Sequence, residues 1–264
     1  VTVRTSPAFG IGAAASAGLI ALAALALGGC ARDDGGSGAA RQAVVVYAAS
    51  SLGDAFEEIA GEFMRANAGV EVRLNLGGSA ALAEQLVQGA PGDVFAAANE
   101  ETMAAVVDAG LVPDEAVVFA SNTLELAVPP GNPGGVSGLA DLARPELAIA
   151  LCAPEVPCGA ASGILLDRAG VVAQPDTLEQ DVRAALTKVQ LGEVDAALVY
   201  RTDVRQAGAA VEGIEVAGAA DVVNRYPIAV LRDAGGPDAA RAFVEFVRSA
   251  RGMAILEEAG FAPA

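Results

Sequence analysis

The 264-residue chain has no histidine, no tryptophan, three tyrosines, three cysteines and a single lysine, Lys188. Without histidine, hydrolysis through an imidazole base is excluded, and so are zinc sites that use imidazole ligands. Without tryptophan, and with so few tyrosines, the chain lacks the aromatic platforms on which sugars stack. Sixteen basic residues face 33 acidic ones, a net charge of −17. Such a surface repels nucleic acid and anionic lipid, both of which are held by clustered Lys and Arg. A small anion is not excluded, because helix dipoles act locally while distant surface charges are screened over roughly 8 Å at physiological salt. What the chain has in quantity is apolar: 53% of it is hydrophobic, enough for one large domain or two lobes.

The first 29 residues carry Arg4 and then an uncharged run over 11–27 that ends in Leu27, Gly28, Gly29 and Cys30. The run is short for a bilayer span and small residues precede the cysteine, as in an export signal. The LGGC ending resembles a bacterial lipobox, which implies cleavage before Cys30 and a diacylglycerol on its sulfur. Residues 30–42, rich in Gly and polar side chains, read as a flexible tether. The expected place is the outer face of the cytoplasmic membrane, held by lipid. Cys152 and Cys158, in LCAPEVPCGA with Pro154 and Pro157 shaping the turn, read as a disulfide of an exported protein. A metal pair is the alternative, but two thiolates do not complete a tetrahedral site. A cross-link over so short a loop serves chiefly to hold the backbone around Cys158.

Beyond the tether, strand-like and helix-like stretches alternate, which predicts an α/β fold with mostly parallel sheets. Strands are expected at 44–48, 71–76, 93–97, 124–128, 147–152, 196–200 and 228–231, and helices at 52–67, 80–88, 100–109, 162–169 and 181–191, with a C-terminal pair over 238–259. The segment VPPGNPGG, residues 128–135, breaks the alternation and suggests a crossing into a second lobe.

Several junctions from strand to helix share one chemistry. YAASSL carries Ser50 and Ser51, LNLGGSAAL carries two glycines and Ser79, and PCGAASG opens a helix in the second half. In open α/β sheets ligands settle beyond the carboxyl ends of strands, where helix amino termini point. Each junction offers backbone N–H groups that have no helical partner, and several converging dipoles make an anion site without Lys or Arg. Taken singly, each serine is more often just an ordinary helix cap. GGS is no Walker motif, because no Gly-Lys-Ser/Thr follows.

In order, AASSL, GGSAALAEQLVQGAPGDVFAAAN, PEVPCGAASG, DVRAAL, ALVY, YPIAVL and the closing GF resemble the successive motifs of molybdate-binding proteins that feed ABC importers, over 44–261. The resemblance implies a type II periplasmic-binding fold, two lobes hinged around a cleft, with lobe 1 over 43–120 plus 225–264 and lobe 2 over 121–224. It implies oxyanion contacts at Ser51, Ser79, Cys158, Val182 and Tyr200, with Ser50, Gly78 and Asp93 standing behind them. Cys158 departs from the pattern, which more often has alanine there; contact through its amide alone accommodates the change. The implied ligand is molybdate or tungstate, with no cofactor and no direct cation ligand. The implied partner is a membrane permease, docked transiently by a monomer.

Molybdate and tungstate are fully deprotonated at neutral pH and suit a cavity of donors, whereas the proton of hydrogen phosphate would be left without an acceptor, at about 1–3 kcal/mol. Sulfate is the closest competitor, since only cavity size separates it. An organic carboxylate would call for an arginine fork; Arg183 and Arg201 are the nearest candidates and are read as solvent-facing. The alternative of another class is a secreted hydrolase working through a carboxylate pair, and the expectation is that the chain is not an enzyme. Asp93, at a strand start, is read as an acceptor for backbone groups rather than for ligand.

Overall fold

The computed structural model describes residues 42–264; the expected signal segment, Cys30 and the tether up to residue 41 lie outside them. The described residues form two five-stranded sheets and the helices that cover them. The first contains β1 (Gln42–Ala49), β2 (Val70–Gly77), β3 (Val94–Ala96), β4 (Val117–Asn122) and β10 (Asn224–Val230), in the order β2-β1-β3-β10-β4. The second contains β5 (Leu124–Val128), β6 (Ile149–Cys152), β7 (Thr177–Glu179), β8 (Ala196–Tyr200) and β9 (Glu212–Ile214), in the order β7-β6-β8-β5-β9. The helices are α1 (Gly53–Ala66), α2 (Ser79–Val87), α3 (Glu100–Asp108), α4 (Pro157–Ala169), α5 (Val182–Gln190), α6 (Arg201–Ala207), α7 (Pro237–Val247) and α8 (Ala250–Ala259).

Both sheets are mixed. β1 is parallel to β2 and β3, and β6 to β7 and β8, while β10 and β5 run antiparallel to their neighbours. The expected parallel pairing therefore holds for half of each sheet, the half that carries the helix-opening junctions. Alternation along β1 shows why helices cover both faces: Val44, Val46 and Ala48 pack with α1, α7 and α8, whereas Tyr47 points to the opposite layer with Leu82, Leu86 and Met103. On the first face Phe63 meets Phe243 edge-on at 5.4 Å between ring centroids, a contact preferred by the ring quadrupoles.

The crossing between sheets lies upstream of the expected VPPGNPGG. β4 ends at Asn122 in one sheet and β5 starts at Leu124 in the other, so only Thr123 separates them; Val128 ends β5 and residues 129–135 form turns after it, within the second half. The chain returns between β9 and β10. Hydrogen bonds bind the crossing: the Arg201 amide donates to the Thr123 carbonyl at 2.9 Å, and Asn122 Nδ2 donates to Thr202 Oγ1 at 2.8 Å.

α4 begins at Pro157, five residues before the expected start. Proline suits the first helical position, where no N–H is required, and Cys158 becomes the second residue of the helix, with its amide among the free donors. The Cys152–Cys158 disulfide is formed, with 5.7 Å between the Cα atoms.

Candidate functional site: a cavity where strand ends meet

Six strand ends converge on one small cavity with about 220 Å3 of space between its atoms. Its lining comes from the end of β1 (Ser50, Ser51), β2 (Gly78, Ser79), β3 (Ala98), β6 (Val156, Pro157, Cys158), β7 (Gln180, Asp181, Val182) and β8 (Tyr200). All five expected contact residues line it and all are buried. Ser50 and Gly78 line it too. Asp93 does not: its Oδ2 accepts the Val45 amide at 2.7 Å and its Oδ1 the Gly235 amide at 2.6 Å, tying β1 to the loop before α7. Arg183 departs from the solvent-facing expectation, because its guanidinium reaches Asp54 at 2.8 Å and the buried Asp203 at 3.1 Å.

The serines do not cap helices. Neither Ser51 nor Ser79 makes a capping hydrogen bond, whereas Asn99, Asp181 and Ser249 do so for α3, α5 and α8. Ser51 Oγ lies 3.0 Å from the Tyr226 hydroxyl instead, and Ser79 Oγ accepts the Ala98 amide at 3.0 Å. With its oxygen engaged by Ala98, the Ser79 hydroxyl has its proton left to donate. Tyr226 stands in the same relation to Ser51. Its phenol is fully buried, and burial pushes its pKa upward, so it stays protonated. Either hydroxyl of that pair can be the donor, and with Tyr226 donating the Ser51 proton is left for the cavity.

Tyr200 supplies the sharpest feature. Only 1% of the residue is exposed, yet among the described residues its hydroxyl makes no hydrogen bond of normal geometry; the Tyr226 phenol is its polar neighbour. Burial first, then the neighbouring Tyr226 and the Asp203 carboxylate, hold its pKa well above the ordinary tyrosine value, so it is a donor at any physiological pH. A buried hydroxyl left unpaired costs about 1–3 kcal/mol, which a ligand accepting from it would recover. The first turns of α2, α4 and α5 add amides at Ser79, Cys158 and Val182 that helical geometry leaves unpaired. No basic side chain lines the cavity, and its one carboxylate, Asp181, takes the Ala184 amide on Oδ1 at 3.0 Å.

The sequence profile of bacterial extracellular solute-binding proteins matches residues 44–262. The chain belongs to that family. The molybdate-binding protein ModA of Mycobacterium tuberculosis is 42% identical over 221 residues, 84% of this chain and 85% of the relative. YvgL of Bacillus subtilis, named as a candidate ABC transporter substrate-binding lipoprotein, is 30% identical over 90% of this chain and 93% of its own length. The solved structure of the periplasmic molybdate-binding protein of Azotobacter vinelandii superposes with a TM-score of 0.72 over 84% of this chain and 99% of that one, at 23% identity, which carries the two-lobed fold. Within the family frame the two sheets are the two lobes and the cavity lies in the cleft between them.

Two groups at the site escaped the sequence reading. Tyr226 sits in YPIAVL, a strand like any other by pattern, and only the pairing of β10 with β3 and β4 brings it beneath Ser51. Asp203 looks like a surface residue of a polar helix but is fully buried.

Proposed function

We propose that the protein captures molybdate or tungstate between its lobes and delivers it to a membrane permease. The observation that carries this reading is the buried Tyr200 hydroxyl, unpaired among the described residues, in a cavity lined also by serine hydroxyls and free helix amides, with no basic side chain and with one carboxylate, Asp181, whose Oδ1 takes the Ala184 amide. Ser51, Ser79 and Tyr200 donate O–H bonds, and the amides of Cys158 and Val182 donate N–H bonds, to a fully deprotonated dianion. Each such charge-assisted bond contributes about 1.5–3 kcal/mol net. The small cavity suits a compact ion, and the absence of an arginine in its lining argues against a carboxylate. The 42% identity to a protein named for molybdate binding supports the same cargo.

The reading divides the protein into lobe 1, 43–120 with 225–264, and lobe 2, 121–224, supported by the change of sheet at Thr123 and the return between β9 and β10. The reading includes export and a lipid on Cys30, supported by the LGGC ending and by the lipoprotein among the relatives. It makes the protein a monomeric carrier and not an enzyme. Hydrolysis by a carboxylate pair would need a second acid beside Asp181, and the lining has none.

The test is calorimetric titration with molybdate, alone and in millimolar sulfate or phosphate. Tight binding that sulfate barely weakens is the expected result. No heat with molybdate, or displacement by equimolar sulfate, would overturn the cargo assignment.

A further inference from the structure

Arg183 follows Val182 directly, yet its charge is turned away from the cavity. Nη2 lies 2.8 Å from Asp54 Oδ2, and the same group bonds Gln206 Oε1. Nε lies 3.1 Å from Oδ1 of Asp203, whose Oδ2 accepts the Tyr200 amide at 3.1 Å. Asp54 is on α1, three residues after Ser51, and Asp203 is on α6, three residues after Tyr200. The Arg183–Asp54 pair thus joins the helix behind the first-lobe serine to a second-lobe arginine anchored behind the tyrosine. Beside it Gly78 lies so close to the Gln180 carbonyl that a methyl group would collide with it; the lobes touch here without side chains between them.

We propose that Arg183 and Asp54 form a catch across the cleft that favours the closed arrangement of the lobes with or without a bound ion and opens before the ion leaves, with Asp203 fixing the arginine from behind. Both are positioning residues and touch no ligand. The proposal rests on the oxyanion reading of the cavity. Its sign separates it from plain electrostatics: Asp54→Asn removes a negative charge near an anion site, which by charge alone strengthens anion binding, whereas loss of a catch weakens it.

The experiment is molybdate calorimetry at pH 8, in 50 and 500 mM NaCl. Asp54 is more than half exposed, so Asp54→Asn leaves no buried charge behind. Asp54→Asn and Arg183→Gln are each expected to weaken binding about two- to fivefold at low salt, the range of partly exposed ion pairs. The double variant should be no worse than the weaker single, Asp54→Glu should restore most of the loss, and the loss should shrink at high salt. Binding by Asp54→Asn as tight as wild type, or losses that multiply in the double variant, would overturn the catch while leaving the cargo intact. If the wild type gives no heat with molybdate, the cargo reading fails instead. Small-angle scattering of the unliganded proteins then decides the catch: a larger radius of gyration in Asp54→Asn supports it, and equal radii overturn it.

Discussion

At the residue scale, what distinguishes this cavity is how its hydroxyls are spent. Serine at a helix start ordinarily caps, and here two serines leave that task undone while Asn99, Asp181 and Ser249 perform it elsewhere. Ser51→Ala, Ser79→Ala and Tyr200→Phe are each expected to weaken molybdate binding by about 1.5–3 kcal/mol, roughly 10- to 150-fold. The thermal midpoint of Tyr200→Phe should change little, because the hydroxyl it removes makes no hydrogen bond of normal geometry among the described residues. Unchanged affinity in both serine variants would remove these residues from the site. Asp203 gives a second prediction. Burial outweighs the nearby Arg183 and raises its pKa to about 7, against an ordinary value of 3.8. Since the folded state holds the proton more tightly than the unfolded one, this group's stabilising contribution is complete below about pH 4 and is lost as pH rises towards 7. The slope is at most about 1.4 kcal/mol per pH unit. Denaturant titrations between pH 4.5 and 7.5 should show Asp203→Asn losing less stability with rising pH than the wild type; parallel curves would mean that the carboxyl titrates normally.

At the element scale, the Cys152–Cys158 bridge ties the end of β6 to the first turn of α4. Gly159, next along, packs so tightly on the Ala153 carbonyl that a methyl group there would overlap it, so the bridge, the glycine and Pro157 together fix the Cys158 amide. In the chain-entropy account a loop this short gains about 2 kcal/mol from cross-linking. The double variant Cys152→Ser, Cys158→Ser is expected to lose about that much stability and also to bind molybdate more weakly. A variant that loses stability but keeps full affinity would reduce the bridge to local bracing. These elements also show how far the sequence could be read. The long strands and amphipathic helices were legible because apolar periodicity extends over enough residues to fix a face. β7 and β9 were not, being three-residue strands at a sheet edge with mixed burial. β4 was hidden by its neighbour: with only Thr123 between it and β5 there is no turn signal, because the two strands enter different sheets. α6 follows β8 without any breaking residue. Of the site, the residues presented by junction motifs were legible in sequence. Tyr226, Asp203 and the role of Arg183 were not, because each acts through partners distant in the chain.

At the scale of the whole molecule, an acidic protein is proposed to bind a dianion with neutral donors, so long-range and short-range forces oppose each other. The net charge of −17 repels the approaching ion, while helix dipoles and hydroxyls attract it only within the cleft, over roughly one helical turn. Salt screens the first and hardly touches the second, since the Debye length falls from more than 10 Å below 0.1 M to about 3 Å at 1 M. Association of molybdate is therefore expected to accelerate between 50 and 500 mM NaCl, the reverse of the behaviour of a site built from arginines. The chain provides its own reporter. With no tryptophan, its emission comes from three tyrosines, two of which, Tyr200 and Tyr226, lie at or directly behind the cavity with rings 6.0 Å apart. Stopped-flow tyrosine fluorescence reads the rate directly. Rates that fall with added salt would mean that cations in the cleft, and not neutral donors, draw the ion in, and the donor-only account of selectivity would fall with them.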